Sequence, residues 1–99
     1  MSTEQNAVSI AELSELRKAI DGIDGALITL FSKRFEEVKK VVKVKQKHGL
    51  PAAIPSRIEE IVLKIRADAK KQGFPPDVAE KIWRLLINEM IKFEESHLT

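Results

Sequence analysis

The 99-residue chain contains no cysteine and no tyrosine, and it also lacks a glycine-rich phosphate loop, a Ser-His-Asp order and any metal-ligand spacing. The lack of cysteine excludes a disulfide framework, a thiolate nucleophile and a cysteine metal site, and it fits a reducing cytoplasm. No apolar run approaches the roughly 20 residues that span a bilayer. The polar segment 1–8 has no signal-peptide core, and we expect it to be disordered. We therefore predict a cytoplasmic protein with no metal site and no membrane partner.

The charge is nearly balanced, with 17 basic and 15 acidic residues and a net charge of +2. This balance argues against a dedicated nucleic-acid binder. A local excess does exist, because the seven cations from Lys33 to Lys47 are matched only by Glu36 and Glu37. Those cations scatter around the helix predicted below, and Phe35 is the single aromatic residue between Lys33 and Lys47, so a row of side chains for base stacking is missing. We therefore expect no nucleic-acid partner.

What the chain does contain is helical periodicity, most clearly from Leu13 to about His48. The apolar residues of this stretch alternate three and four positions apart, and no proline interrupts them, which predicts one long amphipathic helix. Ser9 followed by Glu12 is typical of a capping box at its start. Gly49 is expected to end the helix in the left-handed conformation.

Two shorter helices are predicted after the long one, from a Ser56 cap to Gly73 and from about Pro76 to Ser96. The long helix would measure roughly 55 Å at about 1.5 Å per residue, whereas a compact 100-residue domain has a radius of gyration near 13 Å. The other residues are too few to cover such a helix. We therefore expect an all-α fold of three helices, one long and two shorter, in an intertwined homodimer. The whole chain, 1–99, would be a single domain.

Several charged residues stand where the periodicity calls for apolar ones. Arg34 and Lys45 interrupt the stripe of the long helix, and the eleven steps between them leave only about 20° of rotation, so they point the same way about 16 Å apart. A cation in an apolar seam costs stability unless an anion meets it. Glu94 similarly continues the seam of the third helix. Taken singly, such residues are more often solvated or snorkelling side chains, and so are Arg17 and Arg57.

Taken together, these residues resemble a known family, the all-helical (AroQ-class) chorismate mutases. The opening Leu16-Arg17-x-x-Ile20-Asp21-x-Ile23-Asp24 is similar to the start of that family, and the resemblance extends over about 14–96. The opening alone is a weak signal, because leucine-rich helices are common. The more specific signal is an ordered set of charged residues at the spacing of the family, namely Arg17, Arg34, Lys45, Arg57 and Glu94.

The resemblance implies a homodimer in which each active site borrows Arg17 from the other subunit. Arg17 and Arg34 would bind the two carboxylates of chorismate, a small dicarboxylate, and Lys45 would donate to the ether oxygen of the breaking C–O bond. The implied reaction is a Claisen rearrangement to prephenate, which needs no nucleophile, metal or cofactor. With Arg34, Lys45 and Glu94 as catalytic residues, the remaining substrate-binding positions would be Arg57, Ile54, Ile58 and Met90.

Three positions depart from the family pattern. Glu94 stands where glutamine is usual, and a carboxyl group donates a hydrogen bond only when it is protonated. A slip of one residue would place Glu95 there instead. Ile54 and Ile58 replace acidic residues, one of which accepts the ring C4 hydroxyl of chorismate in the classical mutases.

These departures leave three functions open. Chorismate mutase is favoured by the number of family members with that activity. The isochorismate-pyruvate lyases of salicylate synthesis share the fold and the basic residues, and they resemble this chain around Ile54 and Ile58. The third alternative is a non-catalytic helical dimer or regulator, which would tolerate alanine at Arg17, Arg34 and Lys45.

Overall fold

The computed structural model describes residues 7–98 of the chain, with side chains from Ile10 onward. It contains three helices, α1 (Ala7–His48), α2 (Pro55–Gln72) and α3 (Pro76–Glu95), and no strand occurs in this described part. The prediction of an all-α chain with one long and two shorter helices is confirmed. The expectation of a disordered start falls mainly on 1–6, which lie outside the described residues. No helix between residues 7 and 98 is long and apolar enough to cross a membrane.

The start of α2 differs from the expectation. Pro55 occupies the first helical position, and Ile54 is the N-cap, with an extended backbone and no side-chain cap. The prediction of a Ser56 cap is therefore wrong, because proline already has the φ of a first turn and needs no partner for an N–H group. The start of α1 also precedes the expected Ser9 cap, since the helix already includes Ala7.

The ends of α1 and α2 depend on glycines in the left-handed conformation. Gly49 has a φ of 65° and Gly73 a φ of 75°. After α1, the Leu50 N–H donates to the Lys45 carbonyl at 2.9 Å, and the equivalent bond after α2 has the same length. This pattern is the Schellman motif, which reverses the chain tightly and favours glycine because other side chains are strained there. Both predicted helix ends are confirmed.

The chain forms two compact units that divide within α1 after Glu36. The described part of the first unit consists of α1, and its apolar side chains from Ile10 to Leu30 are exposed, whereas Phe31 and Phe35 are half-buried. In the second unit, α2 and α3 pack against each other, and the end of α1 meets the end of α3. The buried hydrophobic side chains of the described residues all belong to this second unit, namely Val42, Ala52, Val62, Ala69, Ala79 and Ile87.

An ion-pair network connects α2 to α3. Arg84 donates to both carboxylate oxygens of Glu59, at 2.9 and 3.1 Å, and to Glu80 at 2.7 Å. Arg66 donates to Glu80 at 2.9 Å and to Asp77 at 2.8 Å. The hydrogen bonds from Arg84 lower the pKa of the Glu59 and Glu80 carboxyl groups below the ordinary value of 4.5.

Replacing Arg84 by glutamine should make the free energy of unfolding less sensitive to acid. A carboxyl group with a lowered pKa in the folded state contributes stability that is present above the unfolded value of 4.5 and is lost as the pH falls through the folded value. The unchanged protein should therefore lose more stability than Arg84→Gln between about pH 5 and about pH 3, as measured by urea denaturation.

Lys92→Gln is the matched control, because it removes the same charge from an exposed pair with Glu89 at 3.1 Å. Lys92→Gln should keep the pH dependence of the free energy of unfolding that the unchanged protein shows. If Arg84→Gln also kept that pH dependence, the ion pairs of Arg84 would not contribute to stability as proposed.

Candidate active site

Two of the predicted site residues, Lys45 on α1 and Glu94 on α3, form a salt bridge. Lys45 Nζ lies 2.7 Å from Glu94 Oε1, and the two side chains are only 12% and 10% exposed. Both residues belong to the second unit. The anion that a cation in an apolar seam requires is therefore supplied by the chain itself, which offsets part of the cost of burying either charge.

The Lys45 ammonium has a second acceptor, the backbone carbonyl of Ala52, also at 2.7 Å. Ala52 is buried in the loop between α1 and α2. An ammonium group carries three N–H donors, and the described residues accept from two of them. The third N–H can therefore donate to an oxygen of a bound molecule.

Glu94, and not its neighbour Glu95, is the residue in contact with Lys45. Glu94 is buried on the side of α3 that meets the end of α1, whereas Glu95 is exposed. The one-residue difference corresponds to a rotation of about 100° around the helix, which is enough to turn a side chain out of the seam.

Two hollows in the second unit contain predicted site residues. The first has a volume of about 690 Å³ and lies where the loop after α1 meets the chain after α3; Lys45, Pro51, Ala52 and Glu95 are among its lining residues. The second, of about 410 Å³, lies between α2 and α3, and Ile58 lines it together with Ile87. Ile58 therefore contributes hydrocarbon, and no charge, to the wall of this second hollow.

The remaining predicted site residues of the second unit, Ile54, Met90 and Arg57, line neither of these two hollows. Ile54 is half-buried at the start of α2, and Met90 is half-buried on α3. Arg57 is exposed in the first turn of α2 and forms an ion pair with Glu60 of the same helix. Among the residues that the structure describes, no group of histidine and acidic side chains could hold a metal ion.

Arg17 and Arg34 belong to the first unit. Arg17 is exposed and Arg34 is half-buried, both on α1. Within the second unit, the structure brings Lys45, Glu94 and the Ala52 carbonyl together. The sequence analysis did not identify Ala52. The only sequence signal near it was the pair of turn-forming residues Gly49 and Pro51, which predict that the chain reverses direction after α1.

Comparison with known proteins gives one family. The family model described as chorismate mutase type II matches residues 16–95. The T-protein of Enterobacter agglomerans is 40% identical over 80 residues, which cover 81% of this chain and 21% of that protein. The chorismate mutase of Methanocaldococcus jannaschii is 30% identical over 89 residues, or 90% of each chain. The 4-amino-4-deoxychorismate mutase of Streptomyces venezuelae is 27% identical over 93 residues, which cover 94% of this chain and 85% of that protein. The chain thus spans about a fifth of the T-protein that it matches.

Replacing Lys45 by methionine should lower the free energy of unfolding by about 3 kcal/mol, because the buried carboxylate of Glu94 loses its cation. Adding Glu94→Gln to that variant should restore part of the loss, since the unpaired group is then neutral. Lys40→Met is the control, because it breaks an exposed pair with Glu37 at 2.8 Å and should cost less than about 0.5 kcal/mol. Urea denaturation measures all three variants. Equal losses in Lys45→Met and Lys40→Met would show that the Lys45–Glu94 pair does not support the fold.

Proposed function

This chain belongs to the chorismate mutase type II family, and we propose that it catalyses the rearrangement of chorismate to prephenate. The observation that carries the proposal is the half-buried Lys45 ammonium, which is held by two acceptors and keeps one N–H for a ligand. In this reaction the C–O bond of the ether breaks while a new C–C bond forms, and negative charge builds on the ether oxygen. An ammonium already fixed in place stabilises that charge without reorganisation in the transition state.

The arginines would bind and orient the substrate. Chorismate carries two carboxylates, and guanidinium groups match a carboxylate with two parallel hydrogen bonds. Arg34 and Arg17 are the proposed partners, with Arg17 coming from a second copy of the chain. Arg57 would add positive charge at the start of α2 once the substrate competes with Glu60 for it. Holding the side chain of chorismate over its ring in this way lowers the entropic part of the barrier.

Glu94 would contribute in its protonated form. A protonated carboxyl group can donate to the ether oxygen beside Lys45, whereas a carboxylate can only accept. In the ligand-free chain Glu94 Oε1 accepts a hydrogen bond from Lys45 Nζ. Catalysis by this pair would therefore require a proton on Glu94 when the substrate is bound.

We propose that the protein is a homodimer because the stripe of α1 in the first unit is open to water in a single chain. Its apolar side chains are 41–62% exposed, namely Leu13, Leu16, Ile20, Ile23, Leu27 and Leu30. Soluble monomers rarely expose such a continuous apolar surface. A Cβ atom added at Gly22 or Gly25 would meet nothing within 4 Å, so the described chain leaves room there for another helix. Arg17 is exposed on this same stretch and could reach a site in the partner.

The second candidate function is an isochorismate-pyruvate lyase, and Ile58 favours it. Ile58 is half-buried in a hollow whose wall includes Ile87 and Ile91. A ring hydroxyl at C4 of chorismate would find no acceptor on this side chain, and a buried hydroxyl without a partner costs about 1–3 kcal/mol. Isochorismate carries its ring hydroxyl at another position, so it would avoid this loss.

Purified protein should form prephenate from chorismate faster than it forms salicylate and pyruvate from isochorismate. Lys45→Ala should lower kcat on chorismate at least about 100-fold, because it removes a donor to the oxygen on which negative charge builds. Lys40→Ala is the control, because Lys40 is an exposed cation on the same helix. A higher rate on isochorismate would favour the lyase. A measurable rate on neither substrate, with 4-amino-4-deoxychorismate as a third, would favour a non-catalytic role.

Substitutions of Glu94 should report its hydrogen bond to the ether oxygen. Glu94→Gln should keep most of the kcat on chorismate, because an amide N–H donates to that oxygen as a protonated carboxyl group does. Glu94→Ala should lower kcat, since it removes the donor. Steady-state kinetics measures both variants, and full activity in Glu94→Ala would exclude the proposed role.

A charge placed in the exposed stripe should separate the homodimer. Ile23→Lys should shift the protein towards monomers or unfold it at micromolar concentration, because the lysine would have to be buried in the helix pair. Leu63→Lys is the matched control, since Leu63 is 70% exposed and Ile23 60%, but Leu63 lies on α2 outside the stripe. Sedimentation equilibrium measures both variants. A folded monomer for the unchanged chain would refute the dimer.

A further inference from the structure

We propose that the turn from Gly49 to Ala52 positions Lys45, the proposed hydrogen-bond donor to the ether oxygen. The turn acts through the backbone carbonyl of Ala52. The inference rests on the proposed function, because it concerns how Lys45 is aimed at the ether oxygen. Ala52 itself would not touch the substrate. Its carbonyl would decide where the Lys45 ammonium stands.

The turn forms hydrogen bonds with both ends of Lys45, namely its backbone carbonyl and its side-chain ammonium. The Leu50 N–H donates to the Lys45 backbone carbonyl at 2.9 Å, and Lys45 Nζ donates to the Ala52 carbonyl at 2.7 Å. A lysine side chain has four rotatable bonds and samples many rotamers when it is unrestrained. Because one short segment fixes both its start and its end, this side chain is ordered before a ligand arrives.

The Ala52 carbonyl can orient the Lys45 ammonium without neutralising its charge, which the Glu94 carboxylate cannot do. A carboxylate beside the ammonium cancels much of its charge, whereas a neutral carbonyl orients the ammonium and leaves the charge available to a developing oxyanion. If Glu94 takes up a proton for catalysis, it also stops being an anionic partner of Lys45. The Ala52 carbonyl is then the acceptor that keeps the ammonium in place through the reaction.

The residues around the carbonyl make its position rigid. Gly49 permits the reversal at a φ of 65°, and Pro51 has a fixed φ directly before Ala52. Ala52 is buried, and Pro55 starts α2 three residues later. The carbonyl is therefore held between the end of one helix and the start of the next.

The direct test weakens only this acceptor. Semisynthesis can replace the amide between residues 52 and 53 by an ester, whose carbonyl accepts hydrogen bonds less well than that of an amide. We expect kcat on chorismate to fall about fivefold, because a weakened hydrogen bond to a charged donor changes the barrier by about that factor, while KM changes less than about twofold. An ester between residues 51 and 52 is the matched control, since it leaves the Ala52 carbonyl as an amide. Equal kcat values for the two esters would overturn the proposal.

A second test displaces the turn genetically. Gly49→Val and Gly73→Val strain the same kind of left-handed helix end, so both should lower the unfolding midpoint similarly. Only Gly49→Val should lower kcat, by about tenfold or more, since only that turn carries the Ala52 carbonyl. Equal kcat in the two variants would contradict the proposal. If the unchanged protein converts none of the substrates, the proposed function fails; if it is active and the 52–53 ester is equally active, only the positioning role fails.

Discussion

An ammonium and a carboxylate that lie 2.7 Å apart in a nearly dry environment connect the end of α1 to the end of α3. Removing the Lys45 charge would leave the Glu94 carboxylate buried without its cation, whereas removing the Glu94 charge would leave the ammonium with the Ala52 carbonyl as its acceptor. Replacing a buried ion pair by two apolar side chains of similar volume often leaves a protein as stable as before or makes it more stable. The presence of ions at this point is therefore better explained by chemistry than by stability, and ionisable groups in such surroundings are common at functional sites.

The two units of the chain differ in how far each covers its own apolar side chains. The second unit supplies its own core, its two glycine-ended turns and the ion-pair network between α2 and α3. The first unit offers, in its described part, one helix with an exposed apolar stripe. Under the proposed dimer, the helix that pairs the subunits is also the helix that carries Arg17. Formation of the interface and completion of the active site would then be the same event.

The proposed reaction makes few demands on the kinds of residue present, and strict demands on their placement. An isomerisation through one concerted step needs no nucleophile, so the protein contributes orientation and electrostatic stabilisation. Both depend on groups that are fixed before the substrate binds. The bonds from Lys45 to Glu94 and Ala52 fix one such group, while the apolar wall at Ile58 bears on which ring hydroxyl can be accommodated.

The sequence by itself determined the three helices and marked the unusual residues. The spacing of apolar residues predicted all three helices, Gly49 and Gly73 predicted two of their ends, and Lys45 and Glu94 stood out because each interrupts an apolar seam. The start of α2 was misplaced at Ser56, because two local signals competed and the fixed φ of Pro55 prevailed.

Only the tertiary structure decided which groups meet. Lys45 and Glu94 are 49 positions apart, and no local pattern specifies that the ends of their helices come together. The second acceptor was beyond the reach of sequence reasoning altogether, because every residue has a backbone carbonyl. The one at Ala52 is distinguished only by where the fold places it.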